Sequence, residues 1–335
     1  MRNILSRLVQ GEDLTREEMK KTMKYIMTNE ASSVFTSAFL TALTIKKETP
    51  AEIEGAAEAM LEVANSIELD YDALDIVGTG GDMSYSFNIS TISAVILAAC
   101  GVKVCKHGNR SVSSKCGAAD VLEALGANLT FPPKRAKDIL DKTGFVFLYA
   151  PSYHPMMKNV APIRRELGFR TIFNIMGPLI NPMRPKTMLL GVYSKDLCLP
   201  ICSVLKAQGL KRAMVVYGLD GVDEISASDK TYVAELCDGV IREYEFNPED
   251  YGFSLIPHEA LRGGSIEKNK EIALNILRGE QGSQRDIVVL NSACALSLSI
   301  NRPVRECIEI VQEAIDSRRA YQKLNEFIEA THDIR

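Results

Sequence analysis

The chain has 335 residues, 46% of them hydrophobic and 24% charged, with a formal net charge of -4. At ~150 residues per domain this length predicts two domains, and the composition excludes a disordered or fibrous chain. The negative balance excludes wholesale attraction to nucleic-acid phosphates or to an anionic membrane, so any anionic ligand must be held by local groups.

Residues 94–102 form the longest uncharged apolar stretch, about half of the ~20 residues that a membrane-spanning helix needs. The N-terminus reaches Glu12 and Asp13 before any long apolar core develops, so it does not read as a signal peptide, and the expected location is the cytoplasm. None of the eight cysteines forms a Cys-x-x-Cys pair, and they read as small buried hydrophobes. Cys198 and Cys202 share one helix face by their spacing. Core packing is favoured over a zinc site there, because no His or further Cys lies close by.

In chain order, the first ~70 residues read as successive helices. Thr15 with Glu18, and Thr49 with Glu52, have the form of capping boxes, the second with Pro50 at the first helical position. Between them Val34, Phe35, Ala38, Phe39, Ala42 and Leu43 form a wide apolar stripe, which fits either internal packing or a subunit interface. From Leu74 onward β-rich runs alternate with helical stretches. Strands are predicted at 75–77, 102–105, 145–149, 187–193, 213–217 and 231–236. Asp238-Gly239 then reads as a hairpin turn that adds an antiparallel strand to a mostly parallel sheet. The last ~75 residues return to helix, with continuous helical periodicity over 304–330.

Three segments carry chemistry. Residues 75–82 (DIVGTGGD) open a strand into three glycines, where backbone N–H groups can approach a ligand unhindered. Asn88, Ser90 and Thr91 follow at the start of an apolar helix, whose N-terminus favours an anion. A dinucleotide fingerprint fails because Met83 stands at its third glycine, and a phosphate loop of the Lys-Ser/Thr kind fails for want of that pair. Residues 106–114 (KHGNRSVSS) gather Lys106, His107 and Arg110 directly after a predicted strand. Gly108, Asn109, Ser113 and Ser114 add close approach and hydrogen bonds. Residues 217–224 (YGLDGVDE) place Asp220, Asp223 and Glu224 after another strand. That turn is either solvated or a cation site, and a diphosphate ligand would bring Mg2+.

Together with residues 161–171 (APIRRELGFRT) and 173–182 (FNIMGPLINP), these segments resemble, in order and nearly from end to end, the anthranilate phosphoribosyltransferase family. The resemblance implies an α/β fold of the nucleoside phosphorylase/phosphoribosyltransferase type, a mostly parallel sheet with flanking helices beside a small all-helical domain. The helical domain would span residues 1–70, joined by helices from 155–182, and the α/β domain that binds phosphoribosyl diphosphate would span 71–335. It further implies a homodimer formed through the helical domains, and transfer of a phosphoribosyl group to the amine of anthranilate in tryptophan biosynthesis. No covalent nucleophile or dedicated base is expected, since an aromatic amine is neutral and nucleophilic at pH 7.

Carried over by position, Gly78, Gly81, Asp82, Ser86, Asn88, Ile89, Ser90, Thr91 and the run Lys106, His107, Gly108, Asn109, Arg110, Ser113 and Ser114 are implied to bind substrate. Ser90, Asp223 and Glu224 are the implied Mg2+ ligands. Arg164 and Asn109 are implied to hold anthranilate, with His107 and His154 lining its pocket. The sequence departs from the family pattern at Met83 (usually glycine), Ser86 (threonine), Cys116 and Ala118 (serines) and Tyr217 (histidine). Loss of a hydroxyl at Ala118 is expected to alter donor affinity. The alternatives are a pyrimidine nucleoside phosphorylase, which shares the fold, and a non-catalytic nucleic-acid-binding relative. Arg164 and the acidic pair favour the transferase over the first, and the acidic pair with the negative net charge disfavours the second.

Overall fold

The computed structural model describes residues 2–110 and 115–333. Four helices come first: α1 (Arg2–Val9), α2 (Arg16–Met27), α3 (Ser33–Lys46) and α4 (Pro50–Glu62). Both capping boxes form. Thr15 Oγ1 accepts from Glu18 N at 3.2 Å while Glu18 Oε2 accepts from Thr15 N at 2.9 Å. Thr49 and Glu52 repeat the exchange at 3.3 and 2.8 Å, so the starts of α2 and α4 are fixed by local chemistry before any packing. The stripe on α3 divides. Phe39 and Leu43 are buried, whereas Val34 is 77% exposed.

The second part contains β1 (Leu74–Gly78), α5 (Ile89–Ala99), β2 (Val104–Gly108), α6 (Ala118–Ala124), α7 (Ala136–Thr143) and β3 (Phe145–Tyr149). Three short helices follow, α8 (Ala150–Tyr153), α9 (Ala161–Leu167) and α10 (Phe173–Leu179), then β4 (Thr187–Gly191), α11 (Cys198–Ala207), β5 (Arg212–Gly218), β6 (Thr231–Cys237) and β7 (Val240–Phe246). The chain ends in α12 (Ile266–Leu277), α13 (Ser283–Ile300), α14 (Val304–Asp316) and α15 (Arg319–His332).

The seven strands form one sheet in the order β3-β2-β1-β4-β5-β6-β7. Pairs from β3 to β5 are parallel, and β6 and β7 are antiparallel additions. The parallel strands are apolar and buried along nearly their whole length because helices cover both faces. The edge strand β7 is mostly exposed and carries Arg242, Glu243 and Glu245, which discourages pairing with another chain. Asp238 and Gly239 make the expected two-residue turn, both with positive φ (48° and 80°).

Helices α5, α13, α14 and α15 close one face of the sheet, and α10 and α11 cover the other, where the core runs on into the N-terminal helices. Segments from the middle of the chain pack on that bundle: the turn Pro155–Asn159 on α2, α9 on α3 and α10 on α4. Asn159 Nδ2 donates to Met27 O at 2.9 Å.

Two expectations need correction. The second strand begins at Val104 and runs to Gly108, so Lys106, His107 and Gly108 belong to the strand itself and not to a loop after it. The helical run over 304–330 breaks at Ser317-Arg318, where Arg318 takes a left-handed φ of 62°. There α15 turns back to pack on α5, α7 and α14. All eight cysteines are free, with six buried and Cys100 and Cys237 half-buried.

Candidate active site

Sheet order reverses direction between β1 and β4, whose ends pair through Gly78 and Gly191. An open α/β sheet leaves a crevice at such a point, outside the carboxyl ends of its strands. The glycine loop leaves β1 there, α5 starts there, β2 ends beside it, and the turn carrying Asp223 and Glu224 after β5 folds back over it. Two glycines make this closeness possible. A Cβ on Gly78 would lie 2.4 Å from Asp223 Oδ2, and one on Gly191 would lie 1.6 Å from Asp223 O.

The acidic turn is therefore not solvated. Asp223 and Glu224 are 7% and 6% exposed. Asp223 Oδ2 accepts from Gly80 N at 2.6 Å, and Asp223 N donates to Asp82 Oδ2 at 3.4 Å. Lys106 is fully buried, and its Nζ donates to Ile76 O and, at 3.1 Å, to Ser90 Oγ. Burial, then the charges of Asp82 and Glu224, push Asp223 well above the usual carboxylate range. Burial likewise raises Glu224 against the opposing pull of Lys106. Lys106 is lowered by burial although Asp75, Glu224 and Asp223 all favour its charge. Both signs thus shift toward neutrality, so desolvation outweighs the attraction between them.

A divalent cation would relieve this. Glu224 Oε2 is buried with no hydrogen-bond partner, and hard carboxylate and hydroxyl oxygens suit Mg2+. Asp223, Glu224 and Ser90 fit such an ion. Among the described residues no three His, Cys, Asp or Glu side chains converge with metal-ligand geometry, so further ligands would come from phosphate oxygens and water. Helix α5 begins with no side-chain cap bond at Asn88 and no acid in its first turn, and the Ser90 N–H and hydroxyl there face the Glu224 carboxylate from across the sheet. Asn88 Nδ2 instead donates to Cys116 O, and Cys116 Sγ to Asn88 Oδ1, both at 3.4 Å.

A second set of predicted residues comes from β2 and from the segment between α8 and α10. His107 and His154 lie 5.1 Å apart between ring centroids. His107 Nδ1 donates to Gly177 O and His154 Nε2 to Ile180 O, each at 2.9 Å, which fixes both tautomers. Burial lowers His107 to about 3 and His154 to about 4, so both rings are neutral at pH 7. Arg164 is stacked 5.4 Å from the Phe173 ring and is in no ion pair with a described residue. Burial lowers its pKa, so an anion placed beside it would favour its charged form.

The remaining predicted residues divide. Gly81 and Asp82 lie in the loop, and Ile89 in the first turn of α5 is buried in the core. Ser86 bridges to Arg262 across an isolated antiparallel pair, clamping the far side of the loop. Asn109 Oδ1 accepts from Arg110 N at 2.8 Å. Arg110 turns away from the crevice, with its guanidinium at 3.1 Å from Asp120 and 2.6 Å from Glu123. Ser113 and Ser114 lie outside the described residues.

Sequence reasoning missed two partnerships. Asn181 donates at 2.8 Å to both the buried Asp75 carboxylate and Cys105 O, and burial raises Asp75 to about 6. Arg170 donates to Gly81 O. An acid at the start of an apolar strand was a visible signal for the first. The second joins segments remote in sequence and had none.

The model described as the helical bundle domain of the glycosyl transferase family matches residues 2–64, and that of the family's a/b domain matches residues 70–321. The anthranilate phosphoribosyltransferase of Endomicrobium trichonymphae is 48% identical over 334 residues, 99% of each chain. This chain belongs to the anthranilate phosphoribosyltransferase family. Its Methanobrevibacter smithii relative is likewise 48% identical, over 99% of each chain. The solved family structure from Thermus thermophilus matches with a TM-score of 0.93 at 38% identity, covering 98% of this chain and 99% of that one. The Saccharomyces cerevisiae family member, solved in complex with phosphoribosyl diphosphate (PRPP) and Mg, matches with a TM-score of 0.90 at 27% identity, covering 98% and 97%. The chain is therefore an enzyme of the glycosyltransferase type, with the α/β architecture and N-terminal helical domain of its family. The relatives named carry neither a nucleoside phosphorylase's name nor a nucleic-acid-binding protein's.

Proposed function

We propose that the protein transfers the phosphoribosyl group of phosphoribosyl diphosphate to the amine of anthranilate, giving N-(5-phosphoribosyl)anthranilate and diphosphate in tryptophan biosynthesis. The observation that carries this reading is the pairing of two receptors at one crevice. The start of α5, where Ser90 meets Lys106 and Glu224, suits a metal-bound diphosphate. Arg164, in no ion pair with a described residue, and two neutral histidines from neighbouring segments suit an aromatic carboxylate.

In the reaction the anthranilate nitrogen bonds to the anomeric carbon as the bond from that carbon to a diphosphate oxygen breaks, and the nitrogen gives up a proton. Ser90, Asp223 and Glu224 would hold Mg2+, which when bound supplies positive charge to the leaving group. Lys106 and the first-turn N–H groups of α5 add to that stabilisation. Arg164 orients the acceptor by its carboxylate, with Asn109 beside it. His107 and His154 stay neutral and give the pocket aromatic walls without repelling the cationic character that develops on the ribose. No group in the crevice is required as a covalent nucleophile.

The test mixes the protein with anthranilate, phosphoribosyl diphosphate and Mg2+ and follows anthranilate fluorescence. Loss that a chelator abolishes supports the reading. Undiminished fluorescence with folded protein and intact donor overturns it.

The protein also acts as a homodimer in the cytoplasm. On α3, Val34, Ala38 and Ile45 fall on one face, and Val34 and Ile45 are 77% and 79% exposed, with Val9 of α1 also bare. Such a patch favours a second copy. Among the described residues no single helix is long and apolar enough to cross a membrane. Light scattering at micromolar protein checks the dimer, and a monomeric mass would refute it.

A further inference from the structure

The chain from α9 to the start of α10 carries a guanidinium at each end. Arg164 lies over Phe173 in the acceptor half of the site. Arg170 lies 4.3 Å from the centroid of the Tyr193 ring, and its Nη2 donates to Gly81 O in the donor loop. Neither arginine is in an ion pair with a described residue, so ring and carbonyl fix the position of Arg170.

The connection between the two arginines has little slack. Helix α9 is closed by Gly168 N donating to Arg164 O at 3.2 Å, with Gly168 at φ 68°. Three residues on, Thr171 N donates to Asn174 Oδ1 at 3.0 Å and pins the start of α10. Tyr193 follows β4 directly and belongs to the sheet's own framework. Burial raises the Tyr193 pKa, the charge of Glu48 from the turn between α3 and α4 adds to that, and Arg170 opposes both. Gly81 sits in the loop where a bound diphosphate must settle. A shift of its carbonyl pulls on Arg170, and through this stiff segment on α9.

We propose that Arg170 is a positioning residue that ties the donor loop to the acceptor arginine, so that filling the donor site tightens the acceptor site. The proposal rests on the transferase reading above. Arg170 touches neither reacting atom. Its planar fork suits a carbonyl and a ring face together, a task that a lysine ammonium cannot share. Linkage requires the coupling to be reciprocal.

The experiment compares the full chain with Arg170→Met and Arg170→Lys variants. Anthranilate affinity is measured by its fluorescence with and without Mg2+ and diphosphate, an unreactive stand-in for the donor's leaving group. The wild type is expected to bind anthranilate ~5-fold or more tightly when diphosphate is present. In both variants this ratio should fall below about twofold, with the affinity in the absence of diphosphate almost unchanged. If one variant fails to fold, the other decides. A variant that keeps the wild-type ratio overturns the proposal, as does a wild type that turns over anthranilate but shows no coupling. Weakened anthranilate binding in the absence of diphosphate also overturns it, because a packing role alone would give that. A wild type with no turnover removes the transferase reading itself.

Discussion

Replacing Gly78 by alanine isolates the contribution of the acidic pair. The new Cβ would stand 2.4 Å from Asp223 Oδ2 and 2.9 Å from its Cγ. Ordinary van der Waals contact requires ~3.4 Å or more, so the carboxylate must retreat by about 1 Å. Gly78 has no positive φ to defend, so the effect is one of contact and not of backbone strain. The retreat strains the 2.6 Å bond from Gly80 N and moves an oxygen that should hold Mg2+. A misplacement of about 1 Å in a positioned group costs ~100-fold, or ~2.7 kcal/mol in transition-state stabilisation. Global stability should fall by only ~1–3 kcal/mol, as for other overpacked sites. Initial rates measured over a grid of donor and Mg2+ concentrations read the outcome, and Gly80→Ala is the comparison. Its Cβ would meet nothing within 4 Å, and its left-handed φ of 66° costs only local strain. Gly78→Ala should raise the half-saturating Mg2+ and the donor KM together, far more than Gly80→Ala. Unchanged Mg2+ dependence in a folded Gly78→Ala protein would refute the assignment of Asp223 as a metal ligand.

Arg164→Met should raise the anthranilate KM by about 10- to 100-fold, the worth of a charge-assisted hydrogen bond, and leave the donor KM near its original value. A rise confined to the donor KM would place Arg164 in the wrong half of the site. Glu52→Ala should cost ~3–5 kcal/mol in urea unfolding. Its carboxylate is fully buried and accepts from Leu14 N at 2.9 Å, Thr49 N at 2.8 Å and Lys46 Nζ at 2.9 Å. A loss of less than ~1 kcal/mol would show that the helical domain relaxes around the change. The two histidines set an acid limit. Because burial depresses His107 to about 3 and His154 to about 4 from 6.5, the unfolded chain binds protons first as pH falls. Their contribution is therefore complete above pH 6.5 and declines as pH falls toward 4 for His154 and 3 for His107, with a loss of about 2 kcal/mol each at pH 5. His154→Gln, whose amide can still reach Ile180 O, should remove roughly half of that loss. An unchanged dependence of the urea midpoint on pH would show that His154 is not held neutral. Ala118→Ser restores a hydroxyl beside Gly108 and should lower the donor KM, and no change would count against that role.

Sequence legibility followed the range of the interactions. The starts of α2 and α4 were readable because a capping box needs only four consecutive residues. The Asp238-Gly239 hairpin was readable because its two positive φ angles select those residue types. Each parallel strand announced itself as a short apolar run, yet β2 was placed too early. Lys106 and His107 are polar residues buried within it, and periodicity reads burial through hydrophobicity. The break at Arg318 was hidden because nothing in its residue type favours a left-handed φ. In the site the glycine loop, Lys106 and the acidic pair were legible as motifs. The ion pairs of Arg110 were not legible, because a charged loop residue gives no sign of which partner it will choose, and here α6 supplies two carboxylates. The links from Asn181 to Asp75 and from Arg170 to Gly81 span too much chain for any local pattern to show.

The glycine loop after β1 is held at several points. Met83 takes a left-handed φ of 61° where the family usually has glycine, and Tyr85 does the same at 54°. Both side chains are exposed, at 71% and 60%, so neither gains packing that would offset the strain of such a conformation. The loop therefore keeps its shape through its attachments. Gly78 lies against Asp223, Gly81 O accepts from Arg170, and Phe87 N donates to Leu261 O at 3.0 Å beside the Ser86 to Arg262 bridge. Cys116 fits the same logic. Burial raises its thiol to about 11, so it stays protonated and donates to Asn88 Oδ1 as a serine hydroxyl would. Ala118 alone gives up a donor without a substitute. The loop is thus fixed at its ends and tolerant in its middle, which is why substitution at Gly78 should be far more damaging than the residue already present at position 83.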